Sequence, residues 1–180
     1  MAGSGSAGFE VKPHAYDPIK NPELFDGVLA RRLVAFCVDV VIITVPVIVL
    51  ALFIFVFGLV TLGLGWALYF LLSPVAILWA LIYYGMTLGG AHSATVGMRL
   101  VDIEMRTWYG APAYFVLGAV HAVFYWISVS VLTPLILLVA LFNDRRRLLH
   151  DIVLGVVIIN NPARAHAMRA GWAGTDTRPV

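Results

Sequence analysis

The chain of 180 residues is 61% hydrophobic and only 12% charged, with a mean hydropathy of +0.92 and a formal net charge of +2. An ordinary soluble domain carries about twice that charged fraction, and no basic cluster is large enough to indicate a nucleic-acid surface. The one cysteine, Cys37, excludes an internal disulfide and a zinc site built from several cysteines. These features predict an integral membrane protein whose first partner is the lipid bilayer.

The N-terminal segment, residues 1–28, is predicted to be flexible or interfacial. Its prolines interrupt any long helix. The stretch "NPELFDG" is compatible with one interfacial turn, capped by Asn21, in which Leu24 and Phe25 touch lipid.

Three apolar blocks follow, at about residues 33–60, 62–88 and 113–142. Each is long enough for the roughly 20 residues that cross a bilayer. The first two are joined by a short uncharged linker, which predicts a helical hairpin. The third would make a helix of about 45 Å, which is too long for a simple span and short for two. Because serines and Pro134 interrupt it, we favour a broken hairpin, with one long tilted helix as the alternative.

Two polar connectors separate these blocks. In the first, Arg99, Val101, Ile103 and Met105 alternate with other residues, which allows a short strand. The β-branched "GVVII" of the second connector is its candidate partner, although a membrane-embedded turn of helix is equally compatible with "IVLGVVII".

The predicted fold is therefore an all-α membrane protein. It is a small bundle of three to four transmembrane or re-entrant helices, with short cytoplasmic polar connectors and room for one short β pairing. The membrane domain is placed at residues 29–160, after the N-terminal segment at 1–28. Residues 161–180 are expected to form a mobile C-terminal tail.

The basic residues predict the orientation. They lie before the first block, after the second block, and after the third block as Arg145, Arg146 and Arg147. Because cytoplasmic loops are enriched in lysine and arginine, the N-terminus and both connectors are placed on the cytoplasmic side.

Asp39 is a carboxylate inside the first apolar block. A charged group there costs several kcal/mol unless it is neutralised. Arg32 lies on the same helical face but about 10 Å away along the axis, too far for a direct pair. Asp39 therefore needs a hydrogen-bonding partner on another segment, a bound cation or a proton. A role in helix packing and a role in ion binding both stay open.

The stretch "NDRRRLLHD" holds the second group of charges. Arg146 and His150, like Arg147 and Asp151, are four residues apart and would share helix faces. This spacing favours a solvated interfacial helix with ordinary ion pairs. His121, within the third block, is predicted to be a hydrogen-bonded helix contact. We find no metal-ligand spacing and no catalytic constellation, so neither a metal, a cofactor nor an enzymatic activity is expected.

Three short motifs hold most of these residues. The positions concerned are Arg32, Ala35 and Asp39 in "RRLVAFCVD", Thr95, Gly97, Met98 and Arg99 in "SATVGMRLVDIEM", and Leu149, His150 and Asp151 in "RRRLLHDIVLGVVII". Their order resembles the RDD family of small membrane proteins, named for one arginine and two aspartates, over about residues 25–160. Two departures from the family pattern weaken the expectation that basic side chains line a site. Met98 stands where members commonly have lysine, and His121 lies near where many have arginine.

The resemblance implies a bacterial inner-membrane protein, since phrases such as "FDGVLARR" look alphaproteobacterial. It implies a shared site of Asp39, Arg32 and Asp151, in which Arg32 pairs with Asp151 at the membrane face and Asp39 faces the interior. Arg99, His150 and His121 are secondary candidates. Transport of unknown ligands has been proposed for the family, and cation/proton exchange for some members.

Two functions are expected on this basis. The first is a transport-related protein, a cation/proton exchanger that works as an oligomer and binds its ion at Asp39. The second is an accessory subunit or assembly factor of a larger membrane complex, in which Asp39 only bonds neighbouring helices. Nucleic acid is not an expected partner in either case.

Overall fold

The computed structural model of the chain describes residues 15–132 and 144–175. Most of these residues are helical. The helices are α1 (Val28–Val60), α2 (Tyr69–Leu88), α3 (Val96–Leu100), α4 (Phe115–Leu132), α5 (Leu149–Val153) and α6 (Pro162–Thr175), with strands β1 (Ile103–Thr107) and β2 (Val156–Asn160).

Helices α1 and α2 are the two long apolar helices that the sequence predicts. The stretches Pro22–Val60 and Leu64–Leu88 are long and apolar enough to cross a membrane, and only 6% of the most apolar part of each is buried within the protein. A core helix of a soluble protein would be mostly buried instead. The outward-facing apolar side chains of these helices indicate a membrane protein.

A 3₁₀ turn at Leu64–Leu68 joins α1 to α2 and makes the predicted hairpin. The Thr61 hydroxyl accepts a hydrogen bond from the Gly65 amide at 2.7 Å, and the Tyr69 hydroxyl donates to the Ala51 carbonyl at 2.9 Å. These bonds satisfy polar groups where the chain reverses direction, as a lipid environment requires.

The two connectors pair as antiparallel strands. Ile103 lies opposite Asn160, and Thr107 lies opposite Val156. The strand in the first connector begins later than its alternation suggests, because Thr95 caps the short helix α3 and the chain turns at Asp102 with φ of +57°. The fold is therefore a helical bundle with one small sheet, not an entirely α-helical protein.

The stretch "IVLGVVII" contains both structures that the sequence leaves open. Helix α5 ends at Val153, Gly155 turns the chain with φ of +62°, and β2 starts at the next residue. Glycine adopts this left-handed conformation without the penalty of a Cβ atom. The turn places His150 and Asp151 on a short helix beside the bundle and the "VVII" residues in the sheet.

Residues 162–175, expected as part of a mobile tail, form helix α6. The Asn161 side chain accepts a hydrogen bond from the Arg164 amide at 2.9 Å, and Pro162 occupies the first helical position. Asparagine before a helix and proline at its start are both favourable. An ion pair between Arg169 and Glu23 fastens this helix to the N-terminal segment.

The N-terminal segment contains the predicted turn, as a 3₁₀ helix at Pro22–Leu24. The Asn21 side chain does not cap it. Phe25 does not face lipid but is buried against Val157 and Ile159 of the sheet. The Asn160 amide donates to the carbonyls of Glu23 and Asp26 at 2.8 and 2.9 Å, which holds the turn against β2.

The N-terminal segment and both connectors meet at one end of the helices, which we call the connector end. Arg31 donates to the Val101 carbonyl at 3.1 Å, and the Arg147 guanidinium lies 4.3 Å from the centre of the Trp108 ring. The two flanks of the third apolar block also lie there. The choice between one helix and a broken hairpin falls on residues 133–143, outside the described ranges.

Candidate functional site

Asp39 is surrounded by hydrogen-bond donors from two other elements. The Tyr83 hydroxyl of α2 donates to Oδ1 at 2.6 Å, and the Gly97 amide of α3 donates to the same oxygen at 2.8 Å. The Thr95 hydroxyl donates to Oδ2 at 2.6 Å and accepts from the Met98 amide. The buried carboxylate thus ties α1 to α2 and to the start of α3.

Gly97 permits this close approach. A Cβ atom at this position would lie 2.9 Å from Asp39 Oδ1 and would also collide with the backbone carbonyl of Ala35. Both oxygens of Asp39 accept short hydrogen bonds from the protein, so the carboxyl group has its polar partners without an added ion. The contacts favour the packing role that the sequence leaves open for Asp39.

Arg32 forms an ion pair with Asp151. Its Nη2 donates to Asp151 Oδ2, which also accepts a hydrogen bond from the Leu148 amide at 2.9 Å. Its Nη1 donates to the Arg146 carbonyl at 3.1 Å. Arg32 therefore holds the start of α5 against α1, and it reaches Asp151 rather than Asp39, as the resemblance implies.

The second oxygen of Asp151 faces two histidines. His150 Nε2 lies 3.3 Å and His121 Nδ1 lies 3.9 Å from Asp151 Oδ1. One ligand atom from each of the three residues lies within 4.8 Å of the other two. All three side chains are buried, Asp151 completely. None of the three atoms has a hydrogen-bond partner among the residues that the structure describes. We call this group the His–Asp cluster.

Ser128 determines which nitrogen of His150 carries hydrogen. Its Oγ lies 2.6 Å from the Phe124 carbonyl and 3.0 Å from the Tyr125 carbonyl, so the single hydroxyl hydrogen is donated within α4. The same Oγ lies 3.3 Å from His150 Nδ1 and, with its hydrogen donated within the helix, is placed to accept from that nitrogen. In the neutral ring, Nε2 then has a lone pair directed at the Asp151 carboxylate.

Burial and charge act in opposite directions on Asp151. Burial works to raise the pKa of its carboxyl, but Arg32, with smaller contributions from the histidines and the Leu148 amide, holds that pKa below its ordinary value. Burial lowers the pKa of His150. The Asp151 carboxylate and the two imidazole rings thus face one another in a buried space, where polar groups without partners are unfavourable.

A cavity of about 650 Å³ adjoins the cluster among the described residues. Arg32, His121 and His150 line it together with Asp39. Its remaining surface is mostly apolar and is formed by side chains such as those of Phe36, Leu88, Ala122, Tyr125 and Leu148. The cluster is thus accessible from a chamber between α1, α2, α4 and α5.

The region "NDRRRLLHD" differs from its predicted structure. Helix α5 begins only at Leu149, so Arg146 and Arg147 precede it and do not share helix faces with His150 and Asp151 as predicted. Arg147 instead lies over the Trp108 ring. Its later residues, Arg147, Leu148, His150 and Asp151, are buried rather than solvated, and the Asp151 carboxylate pairs with Arg32 on α1.

The remaining candidate residues make contacts that belong to the fold. Arg99 donates from Nε to the Ala94 carbonyl at 3.1 Å, within the first connector and away from the His–Asp cluster. Met98 is buried in the main apolar core. Sequence reasoning missed Ser128 as a partner of His150 and Tyr83 as a partner of Asp39, and no spacing rule connects residues so far apart in the chain.

Comparison with known proteins gives one clear result. The model of the RDD family matches residues 27–155, a range that contains the motif residues from Arg32 to Asp151, helices α1 and α2, and the His–Asp cluster. No curated protein and no solved structure matches the chain significantly. Because the family match covers well over half of the chain, this protein belongs to the RDD family.

Proposed function

We propose that this protein is a multi-pass protein of the bacterial inner membrane that transports a cation, with its ion site at the His–Asp cluster. The observation that carries the proposal is the arrangement of His121 Nδ1, His150 Nε2 and Asp151 Oδ1. Three buried electron-pair donors converge there without hydrogen-bond partners among the described residues. A cation bound between them would coordinate all three atoms at once.

The cluster suits ion binding better than Asp39 does. Asp39 accepts three short hydrogen bonds, so a cation would have to displace donors that already satisfy it. Asp151 uses Oδ2 for Arg32 and leaves Oδ1 for a ligand. The ion site expected at Asp39 from the sequence is therefore reassigned in this proposal to Asp151 and its two histidines.

The cavity supports a transport role, because it connects the cluster to the space between the helices. The described part of one copy has two helices long enough to cross a bilayer, too few to enclose a path. The proposed transporter therefore works as an oligomer. The exposed apolar faces of α1 and α2 provide surfaces for contact with lipid and with further copies. The counter-ion in this proposal is the proton, and no enzymatic reaction is assigned.

The orientation follows from the charges at the connector end. Arg31, Arg99 and the arginines at 145–147 lie there together with the N-terminal segment. Under the positive-inside rule this end faces the cytoplasm. The His–Asp cluster then lies near the cytoplasmic end of the bundle.

The second candidate is an accessory subunit or assembly factor of a larger membrane complex. The structural contacts of Asp39 favour this accessory role. They use the intramembrane carboxylate to bond neighbouring helices, so it is not available to carry an ion. In that case the exposed apolar helices contact another membrane protein rather than further copies.

Cation flux in liposomes separates these candidates. Purified protein is reconstituted with a pH gradient, and uptake is measured for Na⁺, K⁺ and a divalent series. We expect uptake of at least one cation with the wild type and with His92→Gln, whose histidine is exposed in the first connector, and loss of that uptake with His121→Gln. A folded wild type that moves no cation contradicts transport, and its co-purification with a larger complex favours the accessory role.

A further inference from the structure

We propose that His121, His150 and Asp151 form a binding site for a divalent transition-metal ion of the Zn²⁺ class. The inference deepens the proposed function and rests on it in one respect, since it names the class of cation that occupies the same site. The metal-binding claim itself rests on the geometry and chemistry of the three side chains.

The separations of the ligand atoms can be compared with those of a zinc site. Zinc binds imidazole nitrogen and carboxylate oxygen at about 2.0 to 2.2 Å, which separates the ligand atoms of a tetrahedral site by roughly 3.4 Å. His150 Nε2 and His121 Nδ1 lie 3.3 and 3.9 Å from Asp151 Oδ1. The His150 and Asp151 atoms already lie at the required separation. Ligand atoms of the three residues lie up to 4.8 Å apart, so the His121 ring would have to move inward by about 1 Å to complete a tetrahedral site.

The ligand types select the metal. Imidazole nitrogens suit zinc, copper, iron and nickel, whereas magnesium and calcium prefer sites made of oxygen. Two histidines and one carboxylate leave a further coordination position, as in catalytic zinc sites. That position faces the cavity, because His121 and His150 both line it. A water molecule or a small anion from the cavity completes the site.

The surrounding contacts orient the ligands as metal sites require. Ser128 accepts from Nδ1 of His150 and leaves the Nε2 lone pair for the metal. Arg32 and the Leu148 amide hold Oδ2 of Asp151 and leave Oδ1 for the metal. Such outer partners fix ring and carboxylate orientation in known metal sites.

Arg32 also affects the charge of the site. It offsets the negative charge of Asp151, so a divalent ion would give the buried site a net positive charge. Burying that charge is costly, and an anionic ligand in the open position reduces the cost. The site therefore binds its metal more weakly than one with an unpaired carboxylate, which is consistent with an ion that must also leave.

Metal content and Co²⁺ spectroscopy test the inference. The full chain is purified with a tag that contains no histidine, stripped with a chelator, and titrated with Zn²⁺, Co²⁺ and Mg²⁺. We expect one equivalent of Zn²⁺ or Co²⁺, intense visible Co²⁺ bands of low-symmetry coordination, and no Mg²⁺. Ser128→Ala should weaken binding by about 10- to 100-fold, and His121→Gln by more.

The control variant is His92→Gln, which removes an exposed histidine and should bind like the wild type. His121→Gln leaves the Arg32–Asp151 pair in place, so a monodisperse variant without bound metal supports the site. A wild type that binds no Zn²⁺ or Co²⁺ overturns the inference, as does equal loss in His92→Gln and His121→Gln. Na⁺ flux without metal binding overturns the inference alone, and metal binding without any cation flux overturns the proposed function alone.

Discussion

Two of the buried carboxylates, Asp39 and Asp151, differ in their partners rather than in their depth. Asp39 accepts hydrogen bonds from Tyr83, Thr95 and Gly97, which use both of its oxygens. Asp151 presents one oxygen to Arg32 and the other to the histidines. A carboxylate whose two oxygens both accept hydrogen bonds from the protein stabilises the fold. A carboxylate with one oxygen left without a hydrogen bond is available to a ligand.

Gly97→Ala tests the structural role of Asp39. The added methyl group would lie 2.9 Å from Asp39 Oδ1 and against the Ala35 carbonyl, so α3 must shift and its amide bond to the carboxylate weakens. We expect a loss of about 1 to 3 kcal/mol in stability, measured by thermal unfolding in detergent. Gly171→Ala in α6 is the matched control, because no heavy atom lies within 4 Å of its Cβ position. Equal unfolding temperatures for the two variants would contradict the packing role.

Helices α1 and α5 are joined by the ion pair of Arg32 and Asp151. Removing one partner leaves an uncompensated buried charge, so Arg32→Ala and Asp151→Ala should each cost about 3 to 5 kcal/mol. The double variant should cost clearly less than the sum, since both changes remove one interaction. Denaturation of all variants in the same detergent measures this coupling.

The control for that cycle is Arg31, which donates to the Val101 carbonyl and does not contact the His–Asp cluster among the residues that the structure describes. The effects of Arg31→Ala and Asp151→Ala should add. Simple additivity for Arg32 and Asp151 as well would show that they act independently and would contradict the role assigned to the pair.

At the level of elements, long-range contacts explain what the sequence did not predict. The helices α1 and α2 follow from apolar length alone, and the sheet follows from β-branched residues. Helix α5 was expected to be solvated because its charges lie four residues apart, but Asp151 finds its partner 119 positions earlier in the chain. Helix α6 was not predicted, because the Ala, Gly and Arg content of this segment is typical of a mobile tail. The helix-start signal formed by Asn161 and Pro162 was not considered.

For the whole molecule, the polar contacts concentrate at the connector end and the apolar surface covers the long helices. Family motifs pointed to Arg32, Asp39 and Asp151 from the sequence. The convergence of His121 on His150 and Asp151 was not predictable from local spacing, because α4 and α5 are brought together only by the fold. The proposed cation site therefore depends on tertiary structure more than on any motif.

The central claim is that the cation site is the His–Asp cluster and not Asp39. Flux measured side by side for Asp39→Asn and His121→Gln in matched liposomes tests it most directly. Asparagine keeps the shape at position 39 and much of its bonding, so we predict that folded Asp39→Asn transports its cation and that folded His121→Gln does not. Flux lost in Asp39→Asn and retained in His121→Gln would contradict the claim.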